Sequence, residues 1–152
     1  VAIIDLRVLP ESGALLGLDP GTKTLGVAAC DAGRLIASPV ETIARGRTLA
    51  PVLDRLFVLF DARGCVGIVV GLPLNMDGSE GPRAQSARAL AANIVARRDV
   101  PVAFQDERLT TAQAERAMIA ADLSRAKRAA AIDSAAAALI LQTAMDLRGR
   151  LS

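Results

Sequence analysis

Apolar runs separated by turn residues open the chain. Residues 14–19, 25–30 and 35–40 each read as a strand. Pro20-Gly21-Thr22-Lys23 joins the first to the second, and Asp31-Ala32-Gly33 joins the second to the third at hairpin length. The three predict an antiparallel meander. The period then changes: Leu49, Val52, Leu53, Leu56, Phe57 and Phe60 recur at helical spacing, predicting a helix over 48–63 that Gly64 stops. Residues 66–70 carry no polar side chain, as a central parallel strand covered on both faces does. A loop rich in Gly and Pro follows, and Pro82 suits the first turn of a helix reaching about residue 98. Residues 100–105 form the next strand. Thr110 or Thr111 caps a helix over 112–121, residues 122–128 form a polar, basic connector, and the last helix spans 130–147.

The order β-β-β-α-β-α-β-α-α predicts an α/β fold. Its mixed five-stranded sheet combines a three-stranded antiparallel meander with parallel strands, and helices cover both faces. Residues 1–13 read as an N-terminal arm and 14–152 as a single domain, since 152 residues suffice for one core. The chain is 52% hydrophobic, an excess held mostly by alanine in helical runs. The pattern predicts no signal peptide and no bilayer-spanning stretch: the nearest candidate, 129–145, is short and contains Asp133. Cys30 and Cys65 form no CxxC pair and no disulfide framework. They read as small buried hydrophobes in a reducing cytoplasm, with exposure and cross-linking of Cys30 near its strand end as the other reading.

Acids stand where strands end. Asp19 closes the first strand, and Asp106 and Glu107 follow the last. A carboxylate at such a place is costly to bury without a partner, yet it provides the fixed oxygen that a divalent metal requires. Parallel crossover strands bring Asp19, Asp106 and Glu107 to one edge, the carboxyl ends where open sheets bind ligands. Asp133 is expected in the first turn of the final helix, where the dipole favours a negative group. Asp19, Glu107 and Asp133 thus suggest a metal-dependent phosphoryl-transfer centre from three elements. The absence of histidine excludes imidazole bases and the usual catalytic zinc sites. Plainer roles stand beside this one. Asp19 also suits a turn former, Asp106 a partner for Arg108, Glu107 a surface charge and Asp133 a cap. Arg108 either pairs or positions a scissile phosphate, and Lys23 at the Gly21 turn offers its ammonium to phosphate.

Net charge is +2, but its distribution is uneven. Residues 83–128 hold nine Lys/Arg against five Asp/Glu, whereas residues 1–82 hold seven against nine. Arg83, Arg88, Arg97, Arg98, Arg108, Arg116, Arg125, Lys127 and Arg128 suit either a face for a polyanion or an ordinary solvated face with i,i+4 pairs. Three phenylalanines, with no tryptophan or tyrosine, argue against a surface that stacks bases. The segment DPGTKTLGVA also reads as a hairpin gripping ATP phosphates, as in sugar kinases and actin-like folds. Those folds need a second lobe that 152 residues cannot supply, and no GxxxxGK[ST] or GxGxxG is present.

The blocks GLDPGTKTLGVA, VVGLPLNMDGSEGPRA, DERLTTAQAER and IDSAAAALILQ follow one another between Gly17 and Gln142. In them the chain resembles the YqgF family, also called RuvX. The resemblance implies an RNase H-like fold with a three-carboxylate centre at Asp19, Glu107 (with Asp106 beside it) and Asp133, loaded with Mg²⁺ or Mn²⁺. Pro20 replaces the tyrosine usual in the family, Thr24 replaces an arginine, and Ala129-Ala130-Ala131 replaces a Lys/Gly-rich run. None of these changes removes an acid. The family is linked to trimming the 5′ end of precursor 16S ribosomal RNA, and is similar to Holliday junction resolvases. The expectation is therefore a cytoplasmic, metal-dependent nuclease that processes pre-16S rRNA. A junction resolvase, or a non-catalytic factor that only binds rRNA, are the alternatives. Lys23, Arg83, Arg108, Lys127 and Arg128 would meet the nucleic acid, and the protein would act as a monomer or homodimer.

Overall fold

Residues 3–4, 6, 9–106 and 125–151 are described by a computed structural model. Within them the strands are β1 (Ile3–Ile4), β2 (Ala14–Pro20), β3 (Thr24–Cys30), β4 (Ala37–Ala44), β5 (Cys65–Leu72) and β6 (Val102–Asp106). The helices are α1 (Ala50–Ala62), α2 (Pro82–Arg97) and α3 (Arg125–Leu151). The sheet order is β1-β6-β5-β2-β3-β4. The meander β2-β3-β4 is antiparallel, and β5 lies parallel to β2 and β6 parallel to β5. These are the five expected strands. The arm adds a sixth, the two-residue β1, which pairs parallel to β6 at the sheet margin.

Strand alternation sorts the core into two layers. Leu16, Leu18, Val70 and Val102 face one way and pack with Leu53, Leu56, Leu90 and Ile94 of α1 and α2. Leu15, Val69 and Ala103 face the other way and pack with Ile140, Leu141 and Ala144 of α3. Helices therefore cover both faces, which explains the unbroken apolar run of β5.

Several boundaries shift from those expected, and two of the shifts bear on the site. The third meander strand starts at Ala37 rather than 35. Leu35 and Ile36, whose apolar character suggested an earlier start, are 78% and 70% exposed in the preceding turn. Arg34 bends that turn with φ 55°, and its N–H donates to Asp31 Oδ1 at 3.1 Å. Pro39 is tolerated because β4 is a margin strand. A bulge beside it pairs Val27 with Glu41 but Ala28 with Pro39. The second difference is that α3 begins at Arg125, so the connector expected over 122–128 is helical from that point. Arg, Lys and Ala all favour helix and carry it backward from the alanine run. Asp133 consequently lies eight residues inside α3 and not in its first turn. The helix expected over 112–121 lies outside the described residues.

Gly64, at φ 62°, ends α1 in the left-handed conformation that favours glycine. Cys30 and Cys65 are both buried, on opposite faces of the sheet, which removes the cross-linking reading. Burial pushes the Cys65 thiol up to about 11 and raises that of Cys30 too, so neither is an activated thiol.

The seat of α3 is Gly17. A Cβ there would stand 2.7 Å from Leu141 Cβ and 3.0 Å from the Ala137 carbonyl oxygen. Farther along the helix, Gln142 Oε1 accepts from the Ala37 N–H at 2.9 Å, and Arg148 lies 3.7 Å from Glu11, which precedes β2. Helix α3 thus runs antiparallel to β2, and its N-terminal half points toward the carboxyl end of that strand.

Candidate active site

Asp19 is the penultimate residue of β2 and is 9% exposed. It pairs with Gly26 on β3. On its other side Leu18 pairs with Val70, so the next position brings Asp19 level with Gly71. Asp19 is therefore flanked by glycine on both neighbouring strands. Alternation places it on the α3 face. Position 133 precedes Ala137 by one helical turn, about 6 Å, in the direction of the strand ends. Since Ala137 lies over Gly17, the α3 backbone at Asp133 passes near the level of Asp19.

Asp106 ends β6 at the same sheet edge, paired with Leu72. Leu72 and Phe104 belong to the α1/α2 layer. The register thus puts Asp106 on the opposite face from Asp19, so these two acids do not converge as strand residues. Glu107 and Arg108 lie outside the described residues. The residue that does share a level with Asp19 is Gln105, paired with Gly71 and 8% exposed. Asp19 and Gln105 are the buried polar or charged side chains among the described residues, and both face α3 at one level. Gln105 is not among the residues that the sequence singles out. Its signal was a lone amide at the end of an otherwise apolar strand.

Hard oxygen donors suit Mg²⁺ or Mn²⁺ and not a thiolate- or imidazole-seeking ion. The buried Asp19 carboxylate fits that demand. So does Gln105 Oε1, which has no hydrogen-bond partner among the described residues.

Cationic residues follow three strand ends at this edge. Lys23 is exposed in the β2–β3 turn. That turn is tight: Gly21 N–H donates to the Thr24 carbonyl at 2.9 Å, and a Cβ on Gly21 would meet the same oxygen at 2.9 Å. Arg45, just past β4, clamps it by donating from its guanidinium to the Gly21 carbonyl and from its N–H to the Lys23 carbonyl. Arg47 is exposed beside it. Arg83 is exposed in the first turn of α2, which begins where the loop after β5 ends. The pair Arg45 and Arg47 went unremarked in the sequence because they sit in its acidic half. Their signal was the run Arg45-Gly46-Arg47 directly after a strand. Lys127 and Arg128 stand in the first turn of α3, of which the backbone is described.

Other basic residues are occupied elsewhere. Arg88 pairs with Glu80 at 2.6 Å, Arg97 with Asp54 at 2.6 Å and Arg98 with Asp61 at 2.7 Å. Arg98 also stacks over Phe57 and Phe60, and Arg88 over Phe104. The partner arginine holds Asp61 and Glu80 below the usual carboxylate range. These exposed pairs each contribute little stability, but they tie α2 to α1 and to its own leading loop. Arg88, Arg97 and Arg98 of the basic segment over 83–128 are thus engaged in structural pairs.

The loop between β5 and α2 borders the same edge and is internally bonded. Asn75 N–H donates to the Ser79 carbonyl at 2.9 Å and Gly78 N–H to the Asn75 carbonyl at 2.8 Å. Ser79 N–H donates to Asp77 Oδ1 at 2.9 Å. Gly78 supplies φ 86° at the bend. The loop exposes Met76 and delivers Pro82 to the start of α2.

This architecture has known relatives. The family model RuvX, described as Holliday junction resolvase, matches residues 13–147. A protein of Sphingopyxis alaskensis named "Putative pre-16S rRNA nuclease" is 61% identical over 142 residues, covering 93% of this chain and 92% of its own. One of Rhodopseudomonas palustris with the same name is 58% identical over 137 residues, covering 90% and 85%. Among solved structures, Thermus thermophilus RuvC superposes with a TM-score of 0.55 at 16% identity, covering 90% of this chain and 96% of that one. The yeast mitochondrial Holliday junction resolvase Ydc2 gives 0.54 at 13%, covering 96% and 84%. At such identities the likeness shows the fold, which is RNase H-like. With its match running through nearly the whole sheet and α3, the chain belongs to the RuvX family.

Proposed function

We propose that this protein is a divalent-metal-dependent nuclease that processes the 5′ end of precursor 16S rRNA, with residues 14–152 as its catalytic domain and residues 1–13 as an arm. The observation that carries the reading is Asp19: a carboxylate 9% exposed, framed by glycines at the carboxyl edge of the sheet. Relatives at 61% and 58% identity over most of their length bear the pre-16S name. They weigh more on substrate than resolvases related at 16% or less.

In this reading Asp19 and Asp133, with Glu107, hold the cation. When bound, the cation polarises a phosphoryl oxygen and lowers the pKa of a water. The protein's own part is placement. Gly26 and Gly71 put no side chain of their own beside Asp19, where a phosphodiester would approach. Lys23, Arg47 and Arg83 hold the flanking backbone, and Arg45 keeps the Lys23 turn in shape. Arg108, Lys127 and Arg128 complete the expected contacts.

The test offers purified protein a precursor 16S leader and a four-way DNA junction side by side, with Mn²⁺ or Mg²⁺, and maps the products. Defined trimming of the leader is expected. Paired cuts in opposing strands of the junction, made by a dimer, would overturn the choice of substrate. Backbone contact has its own test. Lys23→Ala with Arg47→Ala should weaken RNA binding uniformly across sequences. It should also reduce the slope of log affinity against log salt by roughly one per lost phosphate contact. An unchanged slope would remove these residues from the interface.

A further inference from the structure

The geometry points to Gln105 as a positioning residue of the metal centre: we propose that its carboxamide oxygen accepts a hydrogen bond from a water of the divalent cation held at Asp19. Gln105 is 8% exposed, and its Nε2 donates to the Asp106 carbonyl at 3.1 Å. Only the amide's NH₂ can face a carbonyl, so this bond fixes which end is which and leaves Oε1 as the other. That oxygen is buried with no partner among the described residues. A buried acceptor without a donor is costly, and a water carried by a bound cation is a donor that would satisfy it.

Register supplies the donor's place. Gln105 pairs with Gly71, and Asp19 is level with Gly71 from the other side. The two side chains face α3 across a strand position that has none. Two strand spacings separate their backbones by about 9–10 Å. This is wide for one ion to touch both side chains, and suits an ion at Asp19 with one water toward Gln105. Partners at that remove typically change metal affinity by about 10- to 100-fold. A plain core residue at 105 would serve packing equally well, since Val102 and Ala103 of the same strand are buried and apolar.

The inference rests on the metal reading above, so its test separates the two. Mn²⁺ titration calorimetry and thermal melting are run on the intact chain and on Gln105→Met, Gln105→Glu and Asp19→Asn. Gln105→Met keeps the volume and removes the oxygen, and should raise the Mn²⁺ dissociation constant at least about tenfold with no fall in Tm. Gln105→Glu restores an oxygen and should bind at least as tightly as the parent. A Met variant that melts lower but binds Mn²⁺ normally would make Gln105 a merely structural residue. A Glu variant as weak as the Met variant would place the role in the N–H and overturn the assignment of the oxygen. If Asp19→Asn loses Mn²⁺ while Gln105→Met keeps it, the inference about Gln105 fails alone. If neither variant changes Mn²⁺ uptake, the metal reading falls and takes this one with it.

Discussion

Asp19→Asn should abolish cleavage and leave the fold standing. The substitution keeps the shape of a side chain that is 9% exposed and removes its charge. Because the shape is kept, Tm should stay near the parental value. Activity should fall. On the proposed reading Asp19 is a ligand of the ion that stabilises the transition state, and its loss should forfeit several kcal/mol, roughly a thousandfold or more in rate. Calorimetry supplies the second readout, because Mn²⁺ binding should weaken in step with cleavage. Unchanged Mn²⁺ affinity in the Asn variant would show that Asp19 is no ligand. A collapsed Tm would make it a structural acid.

Much of this arrangement was legible in the chain itself. Residues whose surroundings follow from local period could be read directly: the meander, the five strands, the α1 stripe from Val52 to Phe60 and the Pro82 start of α2 all appear where alternation and helical spacing put them. So does Asp19 at a strand end. What escaped depends on distant parts of the chain. The face that Asp106 takes is set by its register with Leu72, and no local pattern encodes that pairing. Arg88, Arg97 and Arg98 looked like a polyanion face because their partners Glu80, Asp54 and Asp61 lie 8, 43 and 37 residues away. Asp133 was expected at a helix start because residues 122–128 are polar, but polarity without Gly or Pro does not stop a helix. Gln105 reads as an ordinary polar residue until β5 places a glycine between it and Asp19.

Gly17→Ala should destabilise the protein and displace the helix that carries Asp133. Gly17 lies two positions before Asp19 on the α3 face. Its added Cβ would meet Leu141 Cβ at 2.7 Å, well inside the contact distance of about 3.5–4.0 Å between carbons. Leu141 is fully buried and has little room to yield, and the second neighbour, the Ala137 oxygen at 3.0 Å, is backbone. Relief therefore requires α3 to back away from the sheet. Overpacking of this kind costs about 1–3 kcal/mol, which at about 2–4 °C per kcal/mol for a chain of this size lowers Tm by several degrees. Gly17→Val should cost more. Gly46→Ala is the control, because nothing lies within 4 Å of a Cβ there and the loss of backbone freedom in the unfolded chain favours the variant slightly. Well below its Tm, where Gly17→Ala is fully folded, cleavage should still fall while salt-sensitive RNA binding persists. The displaced helix would hold Asp133 off the site, and Lys23 and Arg47 would be undisturbed. A folded Gly17→Ala protein with parental stability would refute the close seating of α3. One that is destabilised yet fully active would separate that seating from catalysis.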